Sequence, residues 1–141
     1  MPYRIEHVES EGGLIISWKG QVRGREVIRS CEDRFAPPER LKRLRYIITD
    51  CTGAVDFTMT IEDIKRIARI SNAVAPLNRH LFAVGVMPTS IGYGLARMFQ
   101  AYADDDETGW HTHVTRSRPE AEDWLRANLD DGLTFGHPLP R

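Results

Sequence analysis

Apolar residues recur along this chain with two different periods, and the switches between them mark out the elements. Residues 3–9 alternate, with Tyr3, Ile5 and His7 on one face and Arg4 and Glu6 on the other. A period of two predicts a half-buried strand. Residues 10–13, Ser-Glu-Gly-Gly, predict a turn, and residues 14–20 a second strand ended by Gly20. So short a link makes the two an antiparallel hairpin. From residue 24 the period lengthens. Val27, Ile28, Cys31 and Phe35 lie at helical spacing, and Pro37 and Pro38 close that helix. Residues 38–45 read as a basic connector with a turn of helix. The run 44–51 is nearly continuous in apolar side chains, as in strands covered on both faces.

The same reading continues to the C-terminus. Residues 60–75 predict a second long helix, striped by Ile61, Ile64, Ile67, Ala68, Ser71 and Val74 and stopped by Pro76. Residues 80–87 predict a fourth, buried strand. Residues 90–105 predict a helix with Ile91, Leu95, Met98, Phe99 and Tyr102 inward. Residues 110–116 predict a fifth strand. The last helix, 117–129, has Ser117 as cap, Pro119 in its first turn and Glu120 three residues after the serine. The order is β-β-α-β-α-β-α-β-α, an α/β fold with a mostly parallel five-stranded sheet flanked by helices. One domain spans 1–131. Residues 132–141 read as a flexible C-terminal tail in which Phe135 is the residue suited to docking on a neighbour.

Composition adds limits. The chain has 141 residues, 41% hydrophobic and 28% charged, enough for one sizeable core. Its 19 basic and 20 acidic residues leave a net charge of −1, which gives no electrostatic footprint for nucleic acid. No run of some 18 apolar residues exists to span a membrane. The first residues lack the apolar core of a signal peptide. The two cysteines, Cys31 and Cys51, read as reduced, buried thiols, and the expected location is cytoplasmic.

Parallel strands deliver their outgoing loops to one edge, where clefts of open α/β sheets form. Those loops are 21–23, 51–59 and 88–89. Two helices begin near Thr60 and Ser90, and their free N–H groups favour anions. The candidate binding residues are therefore Asp50, Thr52, Thr58, Thr60, Thr89 and Ser90. Local structure accounts for much of this pattern by itself. Thr60 with Asp63 resembles a capping box, and Asp50 with Thr52 suits an Asx-type turn around Gly53.

The element order, and the stretch Thr-Asp-Cys-Thr-Gly-Ala-Val-Asp-Phe-Thr-Met-Thr at 49–60, resemble the STAS domain of anti-sigma-factor antagonists, the SpoIIAA-like fold. Within it the chain is most similar to a SpoIIAA-like group of small bacterial proteins. That group often carries a helix like residues 93–102 after the fourth strand and a closing helix like 120–125. The resemblance covers about residues 3–129 and implies a regulatory binding module with a protein partner. In the antagonists the corresponding loop reads D-L-S-x-V-x-x-I-D-S-S-G, with a phosphorylated serine. With Asp50 as the first aspartate, D-S-S-G falls on Thr58, Met59, Thr60 and Ile61. Only Thr60 keeps a hydroxyl at a serine position, so the phosphoswitch is not carried over. The group's looser likeness to CRAL-TRIO lipid-binding proteins implies an apolar pocket between helices and sheet. Phe57, Met59, Met87, Met98, Phe99 and Tyr102 are available to line it, although such residues fill cores more often than pockets.

Other constellations are weaker. His111 and His113 share a strand face but lack a third ligand at recognisable spacing, so no metal is expected. Residues 104–107, Asp-Asp-Asp-Glu, lack calcium-loop spacing and read as a solvated helix end. Residues 40–45 read as a solvent-facing basic connector. Gly92 and Gly94 lack the third glycine of a dinucleotide fingerprint, since position 97 is arginine. Close helix packing or a ligand would account for glycines there. No cofactor is called for. The expectation is a non-enzymatic module binding a protein partner or a small anionic or lipid-like ligand at the carboxyl edge. A homodimer would form through the first-strand edge, the tail or helix 90–103. The alternative is a small hydrolase- or transferase-type enzyme using Asp50, Cys51 or the pair His111 and His113.

Overall fold

The structure, a computed structural model, describes residues 2–103 and 110–138. β1 (Tyr3–Val8) turns through a short 3-10 segment into β2 (Gly13–Arg23). Gly12 makes the corner with φ of 63°, a conformation that costs glycine little. α1 (Gly24–Phe35) follows, closed by Ala36 and the paired prolines, and α2 (Pro38–Arg43) is the basic connector. Next come β3 (Tyr46–Thr58), α3 (Ile61–Val74), β4 (Phe82–Val86), α4 (Ser90–Ala103), β5 (His111–Thr115) and α5 (Arg118–Asn128).

The strands lie in the order β1-β2-β3-β4-β5, with β1 antiparallel to β2 and every other pair parallel. Each parallel crossover steps to the adjacent strand. Crossovers of one hand therefore place α1, α3 and α4 on one face. Side chains from those helices join Leu14, Ile16, Trp18, Ile47 and Cys51 in the larger core. On the other face α5 contributes Ala121 and Leu125, which meet Ile15, Tyr46, Ile48 and Val84. Alternation along β3 sends Tyr46 and Ile48 to one core and Ile47 and Cys51 to the other, as period-two geometry requires.

Three expectations change. The stretches 21–23 and 51–59, read as loops, are strand as far as Thr58. Gln21 pairs with Asp56, Val22 with Phe57 and Arg23 with Thr58. β2 and β3 thus run on together beyond the sheet as a two-stranded ribbon. Register irregularities between Ser17 and Lys19, and again between Gly20 and Gln21, let the pairing resume past Gly20, whose φ is 73°. Backbone pairing supplies the hydrogen bonds that a loop would have taken from water.

The inward face of α4 also differs. Ile91 is 67% exposed and Tyr102 43%, while Gly92 and Ala103 are buried. A Cβ on Gly92 would lie 2.9 Å from the Phe57 ring, so the ribbon's Phe57 occupies the space a side chain would need. The helix is turned to place its smallest residue against that ring.

The third change concerns the stretch expected as a loose tail, within which Leu133 and Phe135 are buried in the second core. Phe135 packs edge-on against Tyr46 at 5.3 Å. The Glu11 carboxylate accepts the Thr134 amide at 2.6 Å, the Thr134 hydroxyl at 2.8 Å and the Phe135 amide at 3.0 Å. Tyr46 donates to the same carboxylate at 3.0 Å. Residues 104–107 lie outside the described residues.

Candidate functional site

The carboxyl rim is built from the ribbon and the starts of α3 and α4. Thr60 caps α3: its hydroxyl accepts from the Asp63 amide at 3.1 Å, and its own amide donates to the Asp63 carboxylate at 2.9 Å. This capping box was legible in the sequence, and such a cap is worth about 1 kcal/mol. Glu62 and Asp63 already place negative charge on the first turn of α3, which opposes a second anion there. Thr89 accepts from the Gly92 amide at 3.0 Å and so caps α4, whose first turn holds no acid. Thr58 accepts from Gln21 across the ribbon at 2.6 Å. Thr52, Thr58, Thr60, Thr89 and Ser90 are all exposed.

Asp50 stands apart from these hydroxyls. It accepts from the Thr52 amide at 2.9 Å and hydroxyl at 2.5 Å, the Asx-type contact that the sequence suggests, made here within the strand. Its other oxygen faces α5 and pairs with Arg118 at 3.0 Å. Arg118 in turn bonds the buried Glu122 at 2.8 Å. Burial would raise the Asp50 pKa, but the Thr52 and Arg118 bonds together outweigh it and hold the carboxyl below its usual range. Asp50 therefore fastens α5 to the sheet.

Of the residues of the enzymatic alternative, Cys51 and His113 line one cavity, while Asp50 is engaged with Thr52 and Arg118. Cys51 is 4% exposed, and burial, with Asp50 adding to it, pushes its thiol up to about 12. A thiol so placed is protonated at neutral pH and is a poor nucleophile. His111 stacks on Phe82 at 4.4 Å and His113 on Trp124 at 4.9 Å. Among the described residues, no three His, Cys, Asp or Glu side chains gather as a metal would need.

A feature that sequence period alone does not locate lies beneath the rim. Between the sheet and α1, α3 and α4 is a cavity of about 160 Å³. Apolar walls come from Val27 and Phe35 of α1, Ile64 and Ile67 of α3, Leu95 and Phe99 of α4 and Ile47 of the sheet. Phe57, Met59, Met87 and Gly92 line it toward the carboxyl rim. Of the six residues available for such a pocket, Phe57, Met59, Met87 and Phe99 line it and Met98 and Tyr102 do not. Polar side chains also reach the wall: Thr49, Cys51, Ser71, Asn72, Gln100, Thr112 and His113, with Arg34 the one that carries a permanent charge. Gln100 is engaged, donating to the Thr112 carbonyl at 3.1 Å.

The five-stranded sheet, with β1 alone antiparallel and helices on both faces, is a SpoIIAA-like, STAS-type fold. Two solved structures establish the likeness. The anti-sigma factor antagonist SpoIIAA in its unphosphorylated form matches with a TM-score of 0.52 at 14% identity, covering 88% of this chain and 97% of that one. An uncharacterised protein of the DUF3478 family with a SpoIIAA-like fold, from Shewanella loihica PV-4, matches with a TM-score of 0.50 at 11% identity, covering 87% and 91%. No family model and no curated protein matches the sequence. No helix among the described residues is long and apolar enough to cross a membrane.

Proposed function

We propose that this chain is a non-enzymatic binding module. It takes a small apolar, lipid-like ligand in the cavity between sheet and helices and offers the carboxyl rim to a protein partner. The cavity carries the reading. Well-packed cores leave few voids larger than a water molecule, and an apolar void of about 150 Å³ accepts a benzene-sized guest. A cavity of about 160 Å³ walled by three helices is of that kind. The rim above it presents the hydroxyls of Thr52, Thr58, Thr60, Thr89 and Ser90, with Asp50 bonded beneath them. It also presents large exposed apolar side chains: Val55 (82% exposed) on the ribbon, Ile61 on α3 and Ile91 on α4. Apolar groups rimmed by hydroxyls mark a surface suited to a protein partner. Phe57 and Gly92 touch both the cavity and the rim elements, which gives a guest a route to alter the surface a partner meets.

The test uses neutral guests. Toluene and 1-hexanol should raise the thermal midpoint of the wild-type protein, with the logarithm of their concentration once it exceeds the dissociation constant. Ala96→Phe, which fills the cavity from α4, should abolish the rise. Absence of any shift in the wild type, or an equal shift in the filled variant, would defeat the reading.

A further inference from the structure

One side chain in the cavity wall carries a permanent charge. Arg34 lies on the last turn of α1 and lines the cavity. Its Nη2 donates to the Cys31 sulfur at 3.0 Å, and its guanidinium sits 5.3 Å from the centre of the Phe35 ring. Its Nε is sealed from solvent and has no hydrogen-bond acceptor. Among the described residues no carboxylate lies within ion-pair distance of it. A buried donor without a partner costs about 1–3 kcal/mol, and more when the group is charged. The neighbouring thiols bring no compensating charge: Cys51 is held protonated, and Cys31 is engaged with the Val27 carbonyl at 3.5 Å. A partly buried guanidinium therefore borders the cavity with one sealed donor unused.

Resting on the cavity reading, we propose that the guest is a small apolar carboxylic acid whose carboxylate pairs with Arg34. The guanidinium fork matches a carboxylate in shape, and such charge-assisted bonds are roughly twice as strong as neutral ones. Size sets the apolar part. Since about 150 Å³ holds a benzene ring, the guest is a ring or short chain of about six to nine heavy atoms including the acid group. Long-chain fatty acids exceed it. The apolar body lies against Phe57, Ile64, Leu95 and Phe99, and the acid reaches the arginine.

The experiment compares benzoate with benzyl alcohol, which keeps the ring and removes the charge. Titration calorimetry on the wild-type protein at pH 7 should show benzoate binding at least tenfold more tightly. Arg34→Met should erase that preference. A measurement on the wild type stands beside the variant. In nitrogen–proton NMR, the Arg34 Nε–H resonance should move on adding benzoate and stay in place with benzyl alcohol. Equal affinities for the two compounds, or an unmoved Nε–H signal with bound benzoate, would overturn the arginine assignment while keeping the cavity. Binding of neither compound would overturn both.

Discussion

Asp50 shows how one residue's local contacts can be legible while its distant partner is not. Its hydrogen bonds to Thr52 were legible, because an aspartate two residues before a threonine favours that contact. Arg118, 68 positions away, was not, because nothing local links the two. The consequence is a pH dependence. Burial raises the Asp50 pKa and the Thr52 and Arg118 bonds lower it by more, so the folded value lies below the unfolded one of about 3.9. A carboxyl depressed by folding stabilises the protein above its unfolded pKa, and that contribution disappears as pH falls through the folded pKa. Asp50→Asn should therefore cost about 1–3 kcal/mol at pH 7. The deficit should shrink once the pH drops below about 3.9 toward the lower folded value. Urea denaturation at pH 7 and at pH 2.5 reads the difference directly. An undiminished deficit in acid would show that the carboxylate charge is not what holds α5.

Element by element, periodicity did well where the periodic face is also the buried face. α1 spans Gly24–Phe35 as its spacing predicts, and α3 begins at the cap that Thr60 and Asp63 spell out. The miss at β3 has a physical cause. Residues 51–58 contain two threonines, a glycine and an aspartate, the composition of a turn, yet β2 offers parallel partners to Gly53, Ala54, Asp56, Phe57 and Thr58. Strand pairing depends on a second segment that local composition does not describe. The glycines of α4 separate in the same way. Gly92 faces the Phe57 ring at 2.9 Å, whereas Gly94 has nothing within 4 Å. Gly92→Ala should destabilise by about 1–3 kcal/mol through overpacking. Gly94→Ala should stabilise by up to about 1 kcal/mol, the ordinary helix preference of alanine. Thermal unfolding of the two variants side by side checks the pair, and equal shifts of one sign would refute the packing distinction.

Across the molecule, two cores on opposite faces of one sheet divide the work. The larger one, under α1, α3 and α4, contains the cavity. The smaller one, under α5, is closed by chain from beyond that helix, with Phe135 1% exposed. Phe135→Ala should cost about 3–5 kcal/mol. Because its burial lies on the face away from the cavity, affinity for neutral guests should be unchanged in the folded variant. Calorimetric unfolding together with guest titration reads both quantities, and a large loss of guest affinity would mean the two cores are coupled. The sequence by itself determined most of the elements, their order and the sheet's mixed direction. These follow from side-chain period, caps and breakers acting within a few residues of one another. Only the tertiary structure decided the ribbon, the partner of Asp50, the seat of Phe135 and the placing of Arg34 in the cavity wall. Each of those joins residues far apart in the chain, and such distances close only when strands pair and helices settle on the sheet.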